Sequence, residues 1–427
     1  MRIMLYRVIA VLLMSFSAYA AAAQDFVGVY LTWGSDPATT MTVNWVDLYP
    51  SAGGKCYFRP LAGASQTPMP WVALAARDRT IDPSSMKRRT VDIAGLSPDT
   101  VYELVIGRGD REPAVDLKTA FRFRTMPAQL TRPVRFVAGG DMMHSRALLD
   151  PMNRQAASLD PDFVIFGGDL AYEDGEKAAR VVDFLQSWLA NGTAKDRRLL
   201  PVIPVIGNHE VIKGYGGTPK EAPYYYGLFV EPAGKPYATY DVGNYLSIIA
   251  LDSGHTSSID GEQSQWLDQT LAARTAQRFV FPVYHYPAYG TAKAEAGKTP
   301  IEHPRAVMIQ RNWVRLFEKY GVSAVLENDH HTFKRTVPIR NNARDDANGI
   351  VYLGDGAWGV RVRDVPAPGS AWWLAKAESR NHVWCIDLSP DGSATARAYD
   401  ATSQVFDEYA LPRPRTIPAP SGVTPTN

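Results

Sequence analysis

The chain has 427 residues, of which 45% are apolar and 21% charged, so it is long enough for two or three domains with sizeable cores. The 45 basic and 44 acidic residues nearly cancel, which argues against a nucleic-acid-binding protein. Two cysteines exclude a disulfide framework and a thiolate zinc cluster, and the 33 glycines and 31 prolines disfavour an all-helical bundle.

The chain opens with the features of an export signal. Arg2 and Arg7 precede an apolar run at 8–16, and small residues at 18–23 offer cleavage sites. We therefore predict a signal peptide over residues 1–23 and a secreted or periplasmic mature protein; the alternative is an uncleaved anchor helix. No later run is apolar for long enough to span a membrane, so no span is expected after signal removal.

Residues 24–128 contain short runs of β-branched and aromatic residues separated by Pro, Gly, Asp and Ser, which predicts an all-β sandwich. The predicted strands are 27–33, 41–46, 56–58, 90–93, 101–106 and 121–125. The stretch 96–102 resembles the tyrosine corner of fibronectin type III domains, in which the tyrosine hydroxyl, here of Tyr102, bonds to nearby backbone. Cys56 and Cys385 are expected as small buried strand residues, with a disulfide between them left open.

Residues 129–410 change to buried apolar runs that alternate with helical stretches, which predicts an α/β domain. The predicted strands are 135–138, 163–166, 202–206, 246–251, 279–284 and 322–326. The predicted helices are 178–189, 263–273 and 311–320. Residues 411–427 are too rich in proline to pack, so a disordered tail is expected there.

Polar clusters follow five of the six predicted strands of the α/β domain. They are Gly140-Asp141, Gly168-Asp169-Leu170-Ala171-Tyr172, Gly207-Asn208-His209-Glu210, His285-Tyr286-Pro287 and Asn328-Asp329-His330-His331. A single aspartate after a strand is more often a helix N-cap, but five clusters in series are hard to explain as caps. Asp, Asn and His together suit iron, zinc or manganese, and their number favours two ions bridged by a carboxylate.

The order of these motifs (GD, GDxxY, GNHE, a single His, and a final His331-Thr332-Phe333-Lys334-Arg335) resembles the purple acid phosphatases of the calcineurin-like metallophosphoesterase superfamily. The resemblance covers about residues 134–360, and the preceding sandwich resembles the N-terminal domain of the plant-type enzymes. It implies an α/β metallophosphoesterase sandwich of mixed sheets flanked by helices, preceded by an all-β fibronectin type III-like domain.

The resemblance also implies a ligand set for each ion. The first ion, ferric in that family, would be held by Asp141, Asp169, Tyr172 and His331. The second ion, iron, zinc or manganese, would be held by Asn208, His285 and Asp329, with Asp169 bridging both. A phenolate favours a hard, high-valent ion, which fits ferric iron beside Tyr172. The spacing predicts Asp169 and Tyr172 on one helical turn, and residues 329 and 331 on one face of an extended strand end.

Three residues are implied to contact the substrate: Asn208, His209 and His303. His209 is the catalytic candidate, because imidazole can hold a phosphate oxygen or protonate a leaving alcohol near neutral pH. The alternative for His209 is to orient Asn208. Glu210 is expected to accept a hydrogen bond from His209 or a backbone amide.

The chain departs from the family pattern at three places. The family has GHxH where this sequence has Asn328-Asp329-His330-His331, so the second ion would meet Asp329 in place of imidazole, or His330 with Asp329 orienting it. The family's first motif is usually GDxG, whereas Asp141 is followed here by Met142-Met143-His144. His144 lies one residue too late for the Asp-x-His pattern of other metallophosphoesterases and is expected beside the ligands or at the surface. The family has a histidine pair in the region where only His303 stands here.

These observations predict a metal-dependent phosphomonoesterase in which metal-bound hydroxide attacks a small-molecule phosphate ester in line. A phosphodiesterase of the same superfamily is the nearest alternative. A non-catalytic secreted binding protein is the other alternative, which the Asp329 substitution keeps open. Against it stands the cost of keeping so many buried charges together without a metal.

Overall fold

The structure, a computed structural model, describes residues 26–48, 53–63, 67–108, 120–292 and 297–412. The predicted signal peptide, residues 1–23, and residues 413–427 of the predicted tail lie outside the described residues. Across the described ranges, no helix combines the length and apolar character needed to cross a membrane.

The N-terminal domain is a β-sandwich, as predicted. Its described strands are β1 Phe26–Thr32, β2 Met41–Asp47, β3 Gly54–Pro60, β4 Val72–Ala75, β5 Arg77–Thr80, β6 Lys87–Ile93, β7 Val101–Arg108 and β8 Phe121–Arg124. They form two four-stranded sheets in the orders β1-β2-β6-β5 and β4-β3-β7-β8. The sequence did not predict β4 and β5, because these edge strands are largely exposed and show no apolar alternation.

Aromatic side chains fill the space between the two sheets of the sandwich. The rings of Tyr102 and Phe123 stack with centroids 5.1 Å apart. The hydroxyl of Tyr102 accepts a hydrogen bond from the backbone N–H of Ser97 at 2.8 Å, so the predicted tyrosine corner is confirmed. Cys56 on β3 and Cys385 in the second domain are both buried and both free thiols.

The second domain has mixed sheets flanked by helices. Its described strands are β9 Val134–Gly139, β10 Phe163–Phe166, β11 Val202–Pro204, β12 Ala238–Val242, β13 Leu246–Ala250, β14 Phe279–Val283, β15 Val325–Leu326, β16 Phe333–Thr336, β17 Ile339–Arg340, β18 Ala343–Arg344, β19 Tyr352–Gly354, β20 Leu374–Glu378, β21 Val383–Leu388, β22 Ala394–Tyr399 and β23 Val405–Leu411. Its described helices are α1 Arg146–Ser158, α2 Ala178–Asn191, α3 Pro223–Phe229, α4 Glu262–Ala272, α5 Pro304–Ile309 and α6 Arg315–Tyr320. Short 3₁₀ turns cover Asn208–Glu210, Pro219–Glu221 and Pro300–Glu302, and a π turn covers Gln310–Val314.

Two large sheets form the centre of this domain, in the orders β11-β10-β9-β21-β22-β23 and β12-β13-β14-β15-β19-β16-β20. Strands β9 to β11 run parallel in the first sheet, and β13, β14, β15 and β19 run parallel in the second. The sheets meet through apolar side chains such as Phe136 of β9 and Phe281 of β14, whose rings lie 5.3 Å apart edge to face. The predicted fold class is therefore confirmed.

Some element boundaries differ from the sequence-based expectation. Only Val325–Leu326 of the predicted strand 322–326 is a strand, and the predicted helix 311–320 begins as the π turn before continuing as α6. Helix α1 was not predicted, because Pro151 interrupts its pattern. Strand β23 extends to Leu411, the first residue of the predicted tail, and packs it in the core.

A buried aspartate joins the two domains. Asp162, just before β10, accepts hydrogen bonds from Arg132, which lies between β8 and β9, at 2.9 and 3.1 Å and from Arg124 of β8. Burial raises the pKa of Asp162, but the two guanidinium groups outweigh it and hold that pKa below its usual value. The ion pairs therefore fix the sandwich against the strand that leads to the candidate site.

Candidate metal centre

The candidate ligands lie at the carboxyl ends of parallel strands from both sheets. Asp141, Asp169 and Asn208 follow β9, β10 and β11 of the six-stranded sheet. His285 follows β14, and residues 329–331 follow β15, in the seven-stranded sheet. Ligands of open α/β sheets gather at such edges, and the structure places these candidates after the strands from which the sequence predicted them.

Three of these residues form a compact buried cluster. Asp141, Asp169 and His285 each offer a ligand atom within 4.8 Å of those of the other two, in an arrangement that can hold a metal ion. All three side chains are fully buried. Two buried carboxylates repel each other, so a cation between them offsets a large electrostatic cost.

A second set of atoms meets at Asp141. Its Oδ1 accepts a hydrogen bond from the Tyr172 hydroxyl at 3.1 Å and lies 2.9 Å from Nε2 of His331. The hydroxyl and Nε2 are 3.0 Å apart. These three atoms lie close enough together that Asp141, Tyr172 and His331 could hold one cation between them. Burial and Asp141 raise the pKa of Tyr172 well above its usual value.

The imidazole of His285 is oriented like that of a metal ligand. Its Nδ1 donates to the carbonyl of Gly167 at 2.9 Å, which turns Nε2 toward the cluster. Nε2 makes no hydrogen bond but lies 3.3 Å from Asp169 Oδ1 and 3.4 Å from Asp329 Oδ1. Burial lowers the pKa of His285, but Asp169 and Asp141 outweigh it and raise the pKa above its usual value.

Asp329 faces the cluster, and His330 lies behind it. The backbone N–H of Asp329 donates to Asp141 Oδ2 at 2.7 Å, and its Oδ1 is the atom near His285. Its other oxygen, Oδ2, is 3.6 Å from Nε2 of His330. Nδ1 of His330 accepts from the N–H groups of Thr291 and Ala292 at 2.9 and 3.1 Å, so this ring is anchored to a different loop.

His209 lies beside the cluster with 38% of its side chain exposed. Its backbone N–H donates to Asp169 Oδ1 at 2.8 Å, and its ring packs 4.4 Å from the ring of Tyr172. Nδ1 is 2.5 Å from Asp174 Oδ1, and Nε2 is 4.0 Å from Asp169 Oδ2. The half-buried Asn208 accepts a hydrogen bond from Tyr215 at 3.3 Å through Oδ1.

The two remaining candidate histidines occupy the surroundings. The ring of His144 packs 4.7 Å from that of Tyr172 and 5.2 Å from that of His331, and burial together with His331 lowers its pKa to about 4. His303 lies farther out, with its ring 5.1 Å from that of Tyr286. Its Nδ1 accepts from the N–H of Arg305 at 3.3 Å.

The backbone at the ligands contradicts two local expectations. Asp169 and Tyr172 do not share a helical turn, and residues 329 and 331 do not lie on an extended strand end. All four lie in loops or bends and have left-handed backbone, with φ of 54°, 55°, 76° and 57° in that order. Asp141 has φ 57° as well. Left-handed backbone costs about 1–2 kcal/mol for a residue with a side chain, and such conformations cluster at functional sites. Periodicity assumes regular backbone, so it could not predict these turns.

Glu210 has a structural role at the site. Its buried carboxylate accepts the N–H groups of Gly207, Asp169 and Leu170 at 2.7, 2.8 and 2.7 Å. The expectation that it accepts a backbone amide is confirmed, and the three bonds join the loops after β10 and β11. Burial and the carboxylate of Asp169 raise the pKa of Glu210 to about 7.

Sequence reasoning missed a buried ion network behind His330. Nζ of Lys334 lies 2.5 Å from Glu327 Oε2 and 3.1 Å from Asp355 Oδ1, and all three side chains are buried. Asp355 Oδ2 is 3.5 Å from Nδ1 of His330. Asp355 follows β19 in Gly354-Asp355-Gly356, a glycine–aspartate pair after a strand, so the same signal that picked out Asp141 could have found it.

Comparisons with known proteins agree with this architecture. A family model described as calcineurin-like phosphoesterase matches residues 134–332, and one described as purple acid phosphatase, N-terminal domain, matches residues 26–125. No curated protein sequence matches the chain.

Two solved structures match this chain, and only the first does so over most of its length. A purple acid phosphatase from yellow lupin (Lupinus luteus) seeds has 18% identity and a TM-score of 0.71, over 90% of this chain and 73% of that chain. Vertebrate astrotactin-2 has 16% identity over 23% of this chain and 21% of that chain, and its TM-score of 0.19 carries no argument. Family and fold together indicate a metal-dependent phosphoesterase hydrolase. The second domain is thus similar to the calcineurin-like phosphoesterases, and the sandwich before it is similar to the N-terminal domain of purple acid phosphatases.

Proposed function

We propose that the protein is a dinuclear-metal phosphomonoesterase that hydrolyses small-molecule phosphate esters. The observation that carries the proposal is the buried convergence of Asp141, Asp169 and His285 within 4.8 Å at the strand ends. A site of this charge is expensive to bury without cations.

Each ion would have its own ligands, and Asp169 would be shared. The first, ferric iron, would be held by Asp141, Asp169, Tyr172 and His331. The second, iron, zinc or manganese, would be held by Asn208, His285, Asp329 and the shared Asp169. When bound, the pair supplies a hydroxide nucleophile at neutral pH and positive charge for the phosphate oxygens. Oxygen and imidazole donors of this kind suit those metals.

His209 would be the catalytic residue of the chain itself. Its ring is reachable from solvent, and Nε2 points to the side of Asp169. Asp174 holds Nδ1 at 2.5 Å and fixes the ring orientation. Burial raises the pKa of Asp174, but His209 and Lys177 outweigh it and lower that pKa, so the carboxylate stays charged beside the imidazole. His209 can then hold a phosphate oxygen or donate a proton to the leaving oxygen.

Metal analysis combined with hydrolysis of an aryl phosphate and a bis-aryl phosphate tests the proposal. We expect two ions per chain and faster hydrolysis of the monoester. Faster hydrolysis of the diester would identify a phosphodiesterase instead. A protein that holds two ions and cleaves neither ester would overturn the enzymatic proposal.

Asp141→Asn and Asp346→Asn form a matched pair for the metal measurement. Asp141 lies in the cluster, whereas Asp346 is an exposed aspartate paired with Arg344. The first substitution is expected to lower metal content, and the second to leave it unchanged. Equal metal content in the two variants would remove the buried cluster as the site.

A further inference from the structure

A pocket of about 430 Å³ adjoins the candidate metal centre. Residues 215–217, 254 and 256–259 form its walls, together with Arg305 and Met308. Tyr215 belongs to both places, because its ring lines the pocket and its hydroxyl donates to Asn208 Oδ1 at 3.3 Å. The volume is within the usual range of small-molecule sites, about 300–1,000 Å³. Tyr215 therefore links the pocket to a candidate ligand of the centre.

Arg305 alone carries a charge among the described residues that line the pocket. Its guanidinium carbon lies 3.6 Å from the ring centroid of Tyr215 and 5.6 Å from that of Tyr286. Nη1 donates to the carbonyl of Ser253 at 2.9 Å. Within the described part of the chain, no carboxylate forms an ion pair with Arg305. Among the described residues, the half-buried cation is therefore held by two aromatic rings and one carbonyl and has no carboxylate partner.

The position of the guanidinium is built into the neighbouring loop. Gly254 has φ 93°, and a Cβ there would lie 2.4 Å from Nη1 of Arg305. The buried carboxylate of Asp252 accepts the N–H groups of residues 254–257 at 2.7 to 3.0 Å. Its charge is thus used to hold the loop in place. The loop therefore leaves space for the guanidinium, while the Asp252 carboxylate bonds to the loop's own amides.

We propose that Arg305 binds a second anionic group of the substrate, carried by the part that leaves as the alcohol. The enzyme would then prefer phosphate esters whose alcohol bears a carboxylate or a second phosphate, an inference that rests on the proposed phosphatase function. A planar guanidinium matches either anion through paired hydrogen bonds, and a ligand anion would supply the counter-charge that no described residue provides.

A matched pair of substrates isolates the charge. Para-carboxyphenyl phosphate and para-carbamoylphenyl phosphate have leaving groups of similar shape, and only the first bears the extra anion. A charge-assisted hydrogen bond to arginine corresponds to a preference of about tenfold or more in kcat/KM for the carboxylate. Hydroquinone bisphosphate tests phosphate as the second anion. A higher kcat/KM for it than for para-carboxyphenyl phosphate identifies phosphate as the preferred group, and a lower kcat/KM identifies carboxylate.

Variants test whether Arg305 causes the preference. In Arg305→Gln the ratio of kcat/KM between the two substrates is expected to fall to about one. Gly254→Ala, which crowds the guanidinium, should lower it as well. Arg311→Gln removes an exposed arginine of the neighbouring π turn and should keep the wild-type ratio. A wild-type ratio of one, or a preference that survives in Arg305→Gln, would overturn the proposal.

Binding without turnover separates this proposal from the phosphatase function. Phosphonates in which a methylene replaces the ester oxygen of the matched pair cannot be hydrolysed. Calorimetry on the metal-loaded protein should give a Kd about tenfold lower for the carboxylate phosphonate, and equal values in Arg305→Gln. If the protein hydrolyses no phosphate ester, the proposed phosphatase function is wrong, but the ratio of the two phosphonate Kd values still tests the role of Arg305. Equal wild-type Kd values would refute the anion site.

Discussion

The carboxylate of Glu210 joins the loops after β10 and β11 beneath the candidate centre. In Glu210→Ala, the buried N–H groups of Gly207, Asp169 and Leu170 lose their acceptor. Each unsatisfied buried N–H costs about 1–3 kcal/mol, and loop relaxation reduces the sum. We expect the free energy of unfolding to fall by about 3–6 kcal/mol, a large part of the roughly 5–15 kcal/mol that stabilises a typical domain.

Glu210→Gln is a milder form of the same change. Oε2 accepts two of the three bonds and Oε1 accepts one, so an amide oxygen in the Oε2 position keeps two of them. The expected loss is about 1–3 kcal/mol. Because Asp169 is held by one of these bonds, both variants should also bind less metal.

Urea unfolding with linear extrapolation measures the loss of free energy of unfolding, and metal analysis measures how much metal each variant binds. Glu221→Ala is the matched control, since Glu221 is partly exposed, accepts from Thr218 at 2.9 and 3.1 Å, and pairs with the exposed Lys213 at 3.5 Å. Its loss should stay below about 1 kcal/mol. A loss below about 1 kcal/mol in Glu210→Ala would show that the three bonds do not hold the loops.

Four further outcomes are expected. Asp169→Asn should lose nearly all phosphatase activity while unfolding cooperatively, and most of the activity surviving in a metal-loaded variant would contradict the shared-ligand role. The iron-loaded protein should absorb visible light through Tyr172, and Tyr172→Phe should abolish the band; a colourless wild-type protein with stoichiometric iron would speak against this ligand. Asp329→Ala should lose one ion and Asp329→His should shift metal preference toward zinc, as metal analysis will show; two ions retained in Asp329→Ala would exclude Asp329 as a ligand. Asp162→Asn should lower the free energy of unfolding at pH 7 by about 2–4 kcal/mol in urea titrations. Because the pKa of Asp162 is depressed by folding, its contribution is present above the unfolded value and lost as pH falls through the folded value, so a difference that persists in strong acid would refute it.

The sequence predicted the sheets best where strands are buried on both faces. Runs such as Phe163–Phe166 and Phe279–Val283 are continuous apolar stretches that parallel strands require, and both are strands. The polar motifs predicted the location of the site equally well, because each one directly follows a predicted strand. The position of each motif after a strand is sufficient to predict that Asp141, Asp169 and His285 lie at one edge of the sheets.

What the sequence could not predict depends on tertiary contacts. Glu210 belongs to a recognised motif, but its three amide partners come together only through the loops after β10 and β11. Arg305 gave no signal, because an arginine without a counter-charge looks like any surface cation in a sequence. The left-handed backbone at Tyr172 and His331 arises from tight turns between strands, which neither propensity nor spacing reports.

The two sheets contribute to each proposed ion together. For the first ion, Asp141 comes from the six-stranded sheet and His331 from the seven-stranded sheet. For the second ion, Asn208 comes from the six-stranded sheet and His285 from the seven-stranded sheet. An ion at either position would therefore act as a cross-brace between the sheets, in addition to the apolar contact of Phe136 and Phe281. At an ion concentration a hundredfold above the dissociation constant, such a brace adds about 2.7 kcal/mol to folding stability. Chelation would thus weaken the whole α/β domain, and a variant with a poorer sheet contact would be rescued by added metal.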